Sequence, residues 1–377
     1  MLHVYLVPGF FGFANLGDLT YFGHVRSYLQ EAFSALGLTA EVHAVKTHPT
    51  ASIERRAARL LESIADTTGP SAGSIHLIGH STGGLDARLF LSPNVQLPAS
   101  MVPEPWAQRV KTLVTVSTPH HGTPLASFFQ TVPGARLLQL LSLVTIHTLR
   151  LGSVPLAVLL KLGALFAKLD DLSPVNSPVL DQLFSQLLGD FSDDRKAALS
   201  QFFDEVSKDQ SLIPQLAPEG MAEFNLRVHP RPGVQLASVL SCARRPGIGS
   251  TFAAGLDPAA QATHTVFSAL HRIASGMQDS FLPPLNDQAR EQIIRVFGEV
   301  LGADENDGIV PTRSQIFGEV LHAARADHHD IIGHFSDSVH NPPHYDWIAT
   351  GTQFRRANFE AVWLQVAEFI AKSERGA

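Results

Sequence analysis

The sequence predicts an α/β protein: a mostly parallel central sheet with helices on both faces and a helical insertion. Two observations predict it. Short β-rich runs alternate with helical patterns in the first third of the chain, and they return in the last third after a middle third without β signal. In addition, the segment Gly79-His80-Ser81-Thr82-Gly83 joins a β-rich run to a helical pattern. Strands that alternate with helices form parallel sheets, since each crossover helix returns the chain to the same edge.

The first third supplies most of the predicted sheet. The predicted strands are residues 2–7, 40–45, 75–78 and 110–116, and the predicted helices between them are 23–36 and 52–65. Helix 52–65 is amphipathic, and the charged side chains that we place on its solvent side are Glu54, Arg55, Arg56, Arg59 and Glu62. Active sites of such sheets lie at the carboxyl ends of the strands, and Ser81 follows one of those ends.

The middle third, residues 124–232, is predicted to be a helical cap inserted into a core of residues 1–123 and 233–377. Its most apolar runs are residues 137–149 and 154–166. A membrane-spanning helix needs roughly 20 mostly apolar residues. Charged residues and helix breakers interrupt these runs, so we predict two amphipathic helices and no transmembrane segment.

The last third returns to the core. Residues 234–240 are predicted to form a strand, and 308–311 and 317–321 two further short strands. Residues 358–372 have the periodicity of an amphipathic C-terminal helix.

The composition excludes several classes of partner and bond. The chain has 377 residues, of which 45% are hydrophobic and 17% charged. Its net charge of −7 gives no electrostatic attraction to nucleic acid, so we expect no nucleic-acid partner. Its one cysteine, Cys242, excludes an intramolecular disulfide. The first residues have the pattern of a core strand, so no signal peptide is expected in this numbering.

Ser81 is the candidate nucleophile. A serine on a strained strand-to-helix turn needs glycine neighbours, and the strain presents its hydroxyl at the sheet edge. The same turn places the Thr82 N–H at a helix N-terminus, where it can bind developing negative charge. The alternative is a glycine-rich turn without chemistry.

A serine hydroxyl needs a base, and the base needs an orienting carboxylate. In folds with this serine turn the chain order is Ser, then Asp or Glu, then His. Asp307, in Asn306-Asp307-Gly308-Ile309-Val310, is the candidate acid, although a simple Asp-Gly turn is the alternative. Spacing alone leaves the base open between His328, His329 and His334.

Several separate segments resemble the bacterial true lipases, secreted triacylglycerol lipases with an α/β-hydrolase fold. The resemblance extends over about half of the chain, and the segments that carry it are residues 76–84, 114–122, 216–225, 306–310 and 327–330. The resemblance implies an α/β-hydrolase fold, and it implies that His328 is the base, because Asp327-His328-His329-Asp330 resembles the family's N-H-L-D motif.

By position, the resemblance places the oxyanion hole at the backbone N–H groups of Phe10 and Thr82. The chain has Pro8-Gly9 where the family has His-Gly, and since the donor is a backbone amide we expect it to survive this change.

The resemblance also implies a structural calcium near the catalytic histidine and no cofactor for the chemistry. The calcium ligands would be the carboxylates of Asp257 and Asp330 and the backbone carbonyls of His334 and Ser338. Calcium accepts backbone oxygens readily, so His334 can stand where the family has Gln. The alternatives are that Asp330 only orients a turn or that His334 joins a different network.

The expected function is hydrolysis of carboxylic esters by a Ser-His-Asp triad, with an ester or lipid substrate. The apolar cap predicts a lid that opens at an interface, or else a passive cover of the core. A polyester depolymerase or an acyltransferase would use the same triad, and a non-catalytic hydrolase-like binding protein would keep only the fold. Extracellular location is implied by the resemblance, whereas the chain as written suits the cytoplasm, so location stays open.

Overall fold

The computed structural model describes residues 1–10, 21–69, 73–93, 95–151, 154–167, 177–346 and 348–376. The strands within these residues are β1 (Leu2–Val7), β2 (Ala40–Ala44), β3 (Ser74–His80), β4 (Val110–Val116), β5 (Gln235–Ser241) and β6 (Glu319–Ala324). They form one sheet in the order β2-β1-β3-β4-β5-β6, and every neighbouring pair is parallel. The predicted α/β class is therefore confirmed.

Helices cover both faces of the sheet. Those before β4 are α1 (Gly23–Ala35), α2 (Ile53–Thr67), α3 (Thr82–Leu91) and α4 (Glu104–Ala107). Those between β4 and β5 are α5 (Pro124–Phe129), α6 (Val132–Leu151), α7 (Leu156–Ala167), α8 (Ser177–Gly189), α9 (Asp193–Lys208), α10 (Leu212–Gln215) and α11 (Pro218–Arg227). Those after β5 are α12 (Ile248–Ala254), α13 (Pro258–Ala274), α14 (Asp287–Phe297) and α15 (Arg356–Glu374).

Alternation along β1 shows how the two layers form. Val4 and Leu6 pack into the apolar cluster that contains the buried side chains of α1 and α15. Tyr5 and Val7 point the other way, into the cluster that contains those of α2 and α3. A strand buried on both faces is typical of a parallel sheet between two helical layers.

The chain between β4 and β5 leaves the sheet and returns to the neighbouring position. Val114 pairs with Ala237 in the ladder between these two strands. In the described part of residues 124–232, the regular elements are helices, as the sequence predicts. The domain boundaries at residues 123 and 233 stay a prediction.

Two of the predicted strands differ from the structure. Residues 308–311, predicted as a strand, form a turn, because the Asp307 side chain accepts hydrogen bonds from the N–H groups of Ile309 and Val310 and Gly308 has a φ of +94°. The predicted strand 317–321 begins later, at Glu319, and extends to Ala324. In the portion of the chain described, no helix combines the length and apolar character that crossing a bilayer requires.

Candidate active site

Ser81 lies in the turn between β3 and α3, with φ 53° and ψ −129°. Residues other than glycine rarely adopt a positive φ, so this backbone is strained. A Cβ on Gly79 would lie 2.4 Å from the Gly84 nitrogen, and one on Gly83 would lie 2.1 Å from the Val7 oxygen. Only glycine at both positions allows the turn to close, and the closed turn presents Ser81 to a cavity.

Asp307 is held in a single orientation by four donors besides the histidine. Its Oδ1 accepts hydrogen bonds from the backbone N–H groups of Ile309 at 2.9 Å and Val310 at 2.7 Å. Its Oδ2 accepts from the hydroxyl of Ser241 at 2.7 Å and the side-chain amide of Gln315 at 3.1 Å. The carboxylate is 1% exposed, so water does not compete for these contacts.

His328 is the histidine that contacts this carboxylate. Its Nδ1 lies 2.8 Å from Asp307 Oδ2. Since a carboxylate oxygen accepts, Nδ1 carries the hydrogen and Nε2 keeps its lone pair, which is the tautomer a general base needs. His328 and Ser81 line the same cavity, so the structure brings together the serine, the acid and the histidine that the sequence selects.

His80 connects the Ser81 turn to the backbone of His328. Its Nε2 lies 2.8 Å from the His328 carbonyl oxygen and therefore carries a hydrogen. Burial and the neighbouring His328 imidazole hold the pKa of His80 well below its usual range, so the ring is neutral. Its Nδ1 then accepts from the Tyr21 hydroxyl at 2.6 Å, and this hydroxyl accepts from the Gly9 N–H at 3.3 Å. Neither role was predicted, because no spacing in the sequence connects Tyr21 to His80.

Arg56 fixes the backbone that precedes Phe10. Its guanidinium donates to the carbonyl oxygens of Pro8 at 2.8 Å and Gly9 at 3.2 Å and to the Thr82 hydroxyl at 3.3 Å. An ion pair with Asp86, 2.8 Å from Arg56 Nη2, compensates its charge. The prediction that Arg56 faces solvent is therefore wrong, since both side chains are 0% exposed. Carbonyl and carboxylate partners replace water on a side of the helix that the charge pattern assigns to solvent.

The two predicted oxyanion residues lie at the polar end of the cavity. Thr82 is the first residue of α3, and Phe10 follows the backbone that Arg56 fixes. Both line the cavity together with Ser81 and His328. Most of the remaining wall is apolar, and α5, α6 and the Asp307 turn contribute a large part of it through Leu125, Ala126, Phe129, Leu138, Leu141, Ser142, Thr145, Ile309 and Val310. The cavity volume is about 130 Å³.

The structure does not bring Asp257 into the carboxylate group near His328. Asp257 caps α13, where its Oδ1 accepts from the N–H groups of Ala259 at 3.1 Å and Ala260 at 2.9 Å. Its sequence context, directly before the helix-starting Pro258, is typical of an N-cap, and this role competes with the predicted metal ligation.

A different trio of carboxylates gathers near His328. One oxygen each of Asp327, Asp330 and Asp346 lies within 4.8 Å of the others. Asp327 Oδ2 is buried without a hydrogen-bond partner in the described chain. Burial and the neighbouring Asp330 raise the pKa of Asp327 well above its usual range. An orphaned buried oxygen among carboxylates fits a hard cation, which would supply the missing charge. Of the two predicted carbonyl ligands, His334 is buried and Ser338 is exposed.

Comparisons with known proteins agree with this fold. A family model described as "PGAP1-like alpha/beta domain" matches residues 39–132. No curated protein matches the chain. Lipase 1 from Pelosinus fermentans is 18% identical, aligns over 98% of both chains and has a TM-score of 0.54.

Two further solved structures are similar over most of their length. Staphylococcus hyicus lipase is 15% identical, with a TM-score of 0.54 over 100% of this chain and 96% of that one. EstA from Clostridium botulinum is 20% identical, with a TM-score of 0.54 over 98% of this chain and 86% of its own. At these identities the similarity shows the fold alone, which is the α/β-hydrolase fold.

Proposed function

We propose that the protein is a serine carboxylic-ester hydrolase, a lipase or esterase, that acts through an acyl-enzyme. The hydrogen bond between His328 Nδ1 and Asp307 Oδ2, at the cavity that Ser81 enters, carries this proposal. The oriented histidine is the base that a serine nucleophile requires. The two lipases of the same fold named above support it.

The reaction consists of two acyl transfers. His328 Nε2 takes the Ser81 proton while the hydroxyl oxygen bonds to the ester carbonyl carbon, and the N–H groups of Phe10 and Thr82 stabilise the resulting oxyanion. His328 then gives this proton to the alkoxy oxygen as the C–O bond breaks. Water bonds to the acyl carbon in the second transfer, its proton passing through His328 to Ser81. Asp307 stabilises the imidazolium in both transfers.

The cavity wall points to an apolar acyl group. Leu138, Leu141, Ser142 and Thr145 lie on one face of α6 and line the cavity. The hydroxyls of Ser142 and Thr145 donate to carbonyls one turn earlier, at 2.6 and 2.8 Å, which leaves mainly carbon surface for the substrate. In this proposal the α6 segment is the lid, and a lipid surface is the partner toward which it opens.

Hydrolysis of p-nitrophenyl esters of increasing acyl length tests the proposal. We expect cleavage that favours longer acyl chains and that falls by a factor on the order of 10⁴ or more in Ser81→Ala. Ser207→Ala is the matched control, since it makes the same change at an exposed position of α9 that does not line the cavity, and it should retain activity. Undiminished cleavage by Ser81→Ala, or no cleavage by the folded protein, would contradict the proposal.

We further propose that calcium binds at the carboxylates of Asp327, Asp330 and Asp346, next to the catalytic histidine. When bound it supplies positive charge that holds this loop. Removal of calcium with a selective chelator should lower Tm, and calcium should restore it. Asp346→Asn should abolish the calcium-dependent rise in Tm, whereas Asp257→Asn, which keeps a good N-cap residue, should not. A rise in Tm that depends on Asp257 instead would overturn this ligand set.

A further inference from the structure

Three histidines meet outside the active site. His24 is the second residue of α1, and His340 and His344 belong to the loop that follows the catalytic histidine. One ring nitrogen of each lies within 4.8 Å of those of the other two. The His24 and His344 rings stack with centroids 3.6 Å apart, and the His340 ring lies 5.0 Å from His344.

One nitrogen of each ring hydrogen-bonds to a backbone carbonyl oxygen. His344 Nδ1 lies 2.7 Å from the Gly333 oxygen, and His340 Nδ1 lies 2.8 Å from the Pro342 oxygen. His24 hydrogen-bonds to the backbone of Pro343, which as a proline can offer only its carbonyl. Each imidazole thus donates from one nitrogen and keeps a lone pair on the other. Metal-binding histidines typically show this pattern, because the carbonyl fixes the tautomer and the ring orientation.

Neutral imidazole is the form that binds metals, and two of the three rings have a lowered pKa. Burial and the neighbouring imidazoles lower the pKa of His24 to about 3, and burial lowers that of His344. His344 is 3% exposed, whereas His24 and His340 are half-buried, so the group is open on one side. Tetrahedral zinc separates its ligand nitrogens by about 3.3 Å, so binding would draw the three nitrogens closer and move the half-buried His24 ring out of its stack on His344.

We propose that His24, His340 and His344 bind a divalent transition metal, with zinc as the expected ion and water in the fourth position. Imidazole suits zinc, and sites with three histidines and one open position are well formed for it. The metal would connect α1, which begins two residues after Tyr21, to the loop after His328. These segments already touch, since a Cβ on Gly333 would lie 3.0 Å from the His24 Cβ.

A second group of possible ligands, His3, Glu41 and His43, serves as the control. His3 Nδ1 lies 3.2 Å from His43 Nε2 and 3.4 Å from the Glu41 carboxylate, and His43 lies 3.6 Å from that carboxylate. Each of these two nitrogens can donate a hydrogen to the Glu41 carboxylate, so this arrangement is satisfied without a metal. Substitution of His43 therefore changes a histidine in a similar setting without touching the proposed site.

Titration of chelator-treated protein with Zn²⁺, in the presence of excess calcium, tests the site. We expect one zinc per chain, a higher Tm with zinc, and visible absorption of tetrahedral Co²⁺ when Co²⁺ is used instead. His24→Gln and His340→Gln, which change half-buried rings and leave the buried His344 intact, should weaken zinc binding by more than the ~10–100-fold typical of losing an outer-shell partner. His43→Gln should bind zinc as the unsubstituted protein does.

Three results would overturn the site: no zinc bound by the unsubstituted protein, unchanged binding in His340→Gln, or binding lost in His43→Gln. The readout is zinc itself and goes beyond the proposed ester hydrolysis. A protein that binds zinc but cleaves no ester would refute only the hydrolase, and one that cleaves esters without binding zinc would refute only this site.

Discussion

The imidazole of His80 lies 2.8 Å from the backbone carbonyl oxygen of His328, measured from Nε2. Nδ1 of the same ring accepts a hydrogen bond from the Tyr21 hydroxyl, and the oxygen of this hydroxyl accepts one from the Gly9 N–H. This chain of hydrogen bonds connects the carboxyl ends of three strands, β1, β3 and β6. The position of the proposed base relative to the nucleophile is therefore set through the backbone as well as through Asp307.

His80→Phe should lower kcat without a comparable change in KM. The phenyl ring keeps the bulk but loses both hydrogen bonds, which frees the His328 backbone to shift. A displacement of about 1 Å in a reacting group can cost about 100-fold in rate, so a fall of about 10- to 100-fold is expected. His322→Phe is the control, because the His322 side chain, in β6, lies 2.8 Å from the side-chain amide oxygen of Gln365 in α15. Unchanged kcat in His80→Phe, measured by steady-state ester hydrolysis, would contradict this role.

Arg56→Met should destabilise the fold strongly. It leaves the buried Asp86 carboxylate without its partner, and breaking a buried ion pair typically costs about 3–5 kcal/mol. The free energy of unfolding, measured by urea denaturation, should fall by that order.

The double variant Arg56→Met/Asp86→Leu separates stability from positioning. Replacing both members of a buried pair by apolar residues is often neutral for stability, so most of the lost free energy of unfolding should return. The carbonyls of Pro8 and Gly9 would still lack their donor, so kcat should stay low. Full recovery of kcat in the double variant would show that Arg56 does not position the oxyanion segment.

Local patterns predicted the parts of the structure that depend on neighbouring residues. Alternation of strands and helices indicated the parallel sheet, and the glycines around Ser81 indicated the strained turn now seen with φ 53°. The Asp307 turn shows the limit of such patterns. Its apolar residues Ile309 and Val310 are equally typical of a strand. They form a turn because the Asp307 side chain accepts hydrogen bonds from their backbone N–H groups.

Long-range partners could not be predicted in this way. Arg56 has the sequence context of a solvent-facing residue, and its burial depends on carbonyls at residues 8 and 9 and on Asp86. The carboxylates near His328 are similar, because Asp346 joins Asp327 and Asp330 through a loop whose path no periodicity specifies.

Gly9→Ala should abolish activity while leaving most of the fold intact. A Cβ at this position would lie 2.7 Å from the Ser81 Cβ and 2.9 Å from the Tyr21 hydroxyl oxygen. Both distances are too short, so the nucleophile turn or the Tyr21 segment must shift. Gly189→Ala, at the end of α8 with open space around it, is the matched control and should keep full activity. Normal kcat/KM in Gly9→Ala, with an unchanged circular dichroism spectrum, would refute the close approach of these two segments.

Stability should fall as pH decreases from about 6.5 towards 4, the range between the ordinary pKa of histidine and the lowered values. Burial lowers the pKa of His76, His121 and His271 to about 4 each. In this range each of these histidines is protonated in the unfolded chain and neutral in the folded chain. Each therefore lowers the free energy of unfolding by up to about 1.4 kcal/mol for every pH unit of acidification.

Buried carboxylates act in the opposite direction but are fewer among the shifted groups described. Burial raises the pKa of Asp86 to about 6, so the folded state gains a proton there as pH falls and is stabilised. His76→Gln isolates one histidine: its free energy of unfolding, from urea denaturation between pH 7 and 5, should depend on pH less steeply than that of the unsubstituted protein, by up to about 1.4 kcal/mol per pH unit. Parallel curves for the two proteins would show that His76, buried in β3 against the end of α15, is not held neutral by its burial.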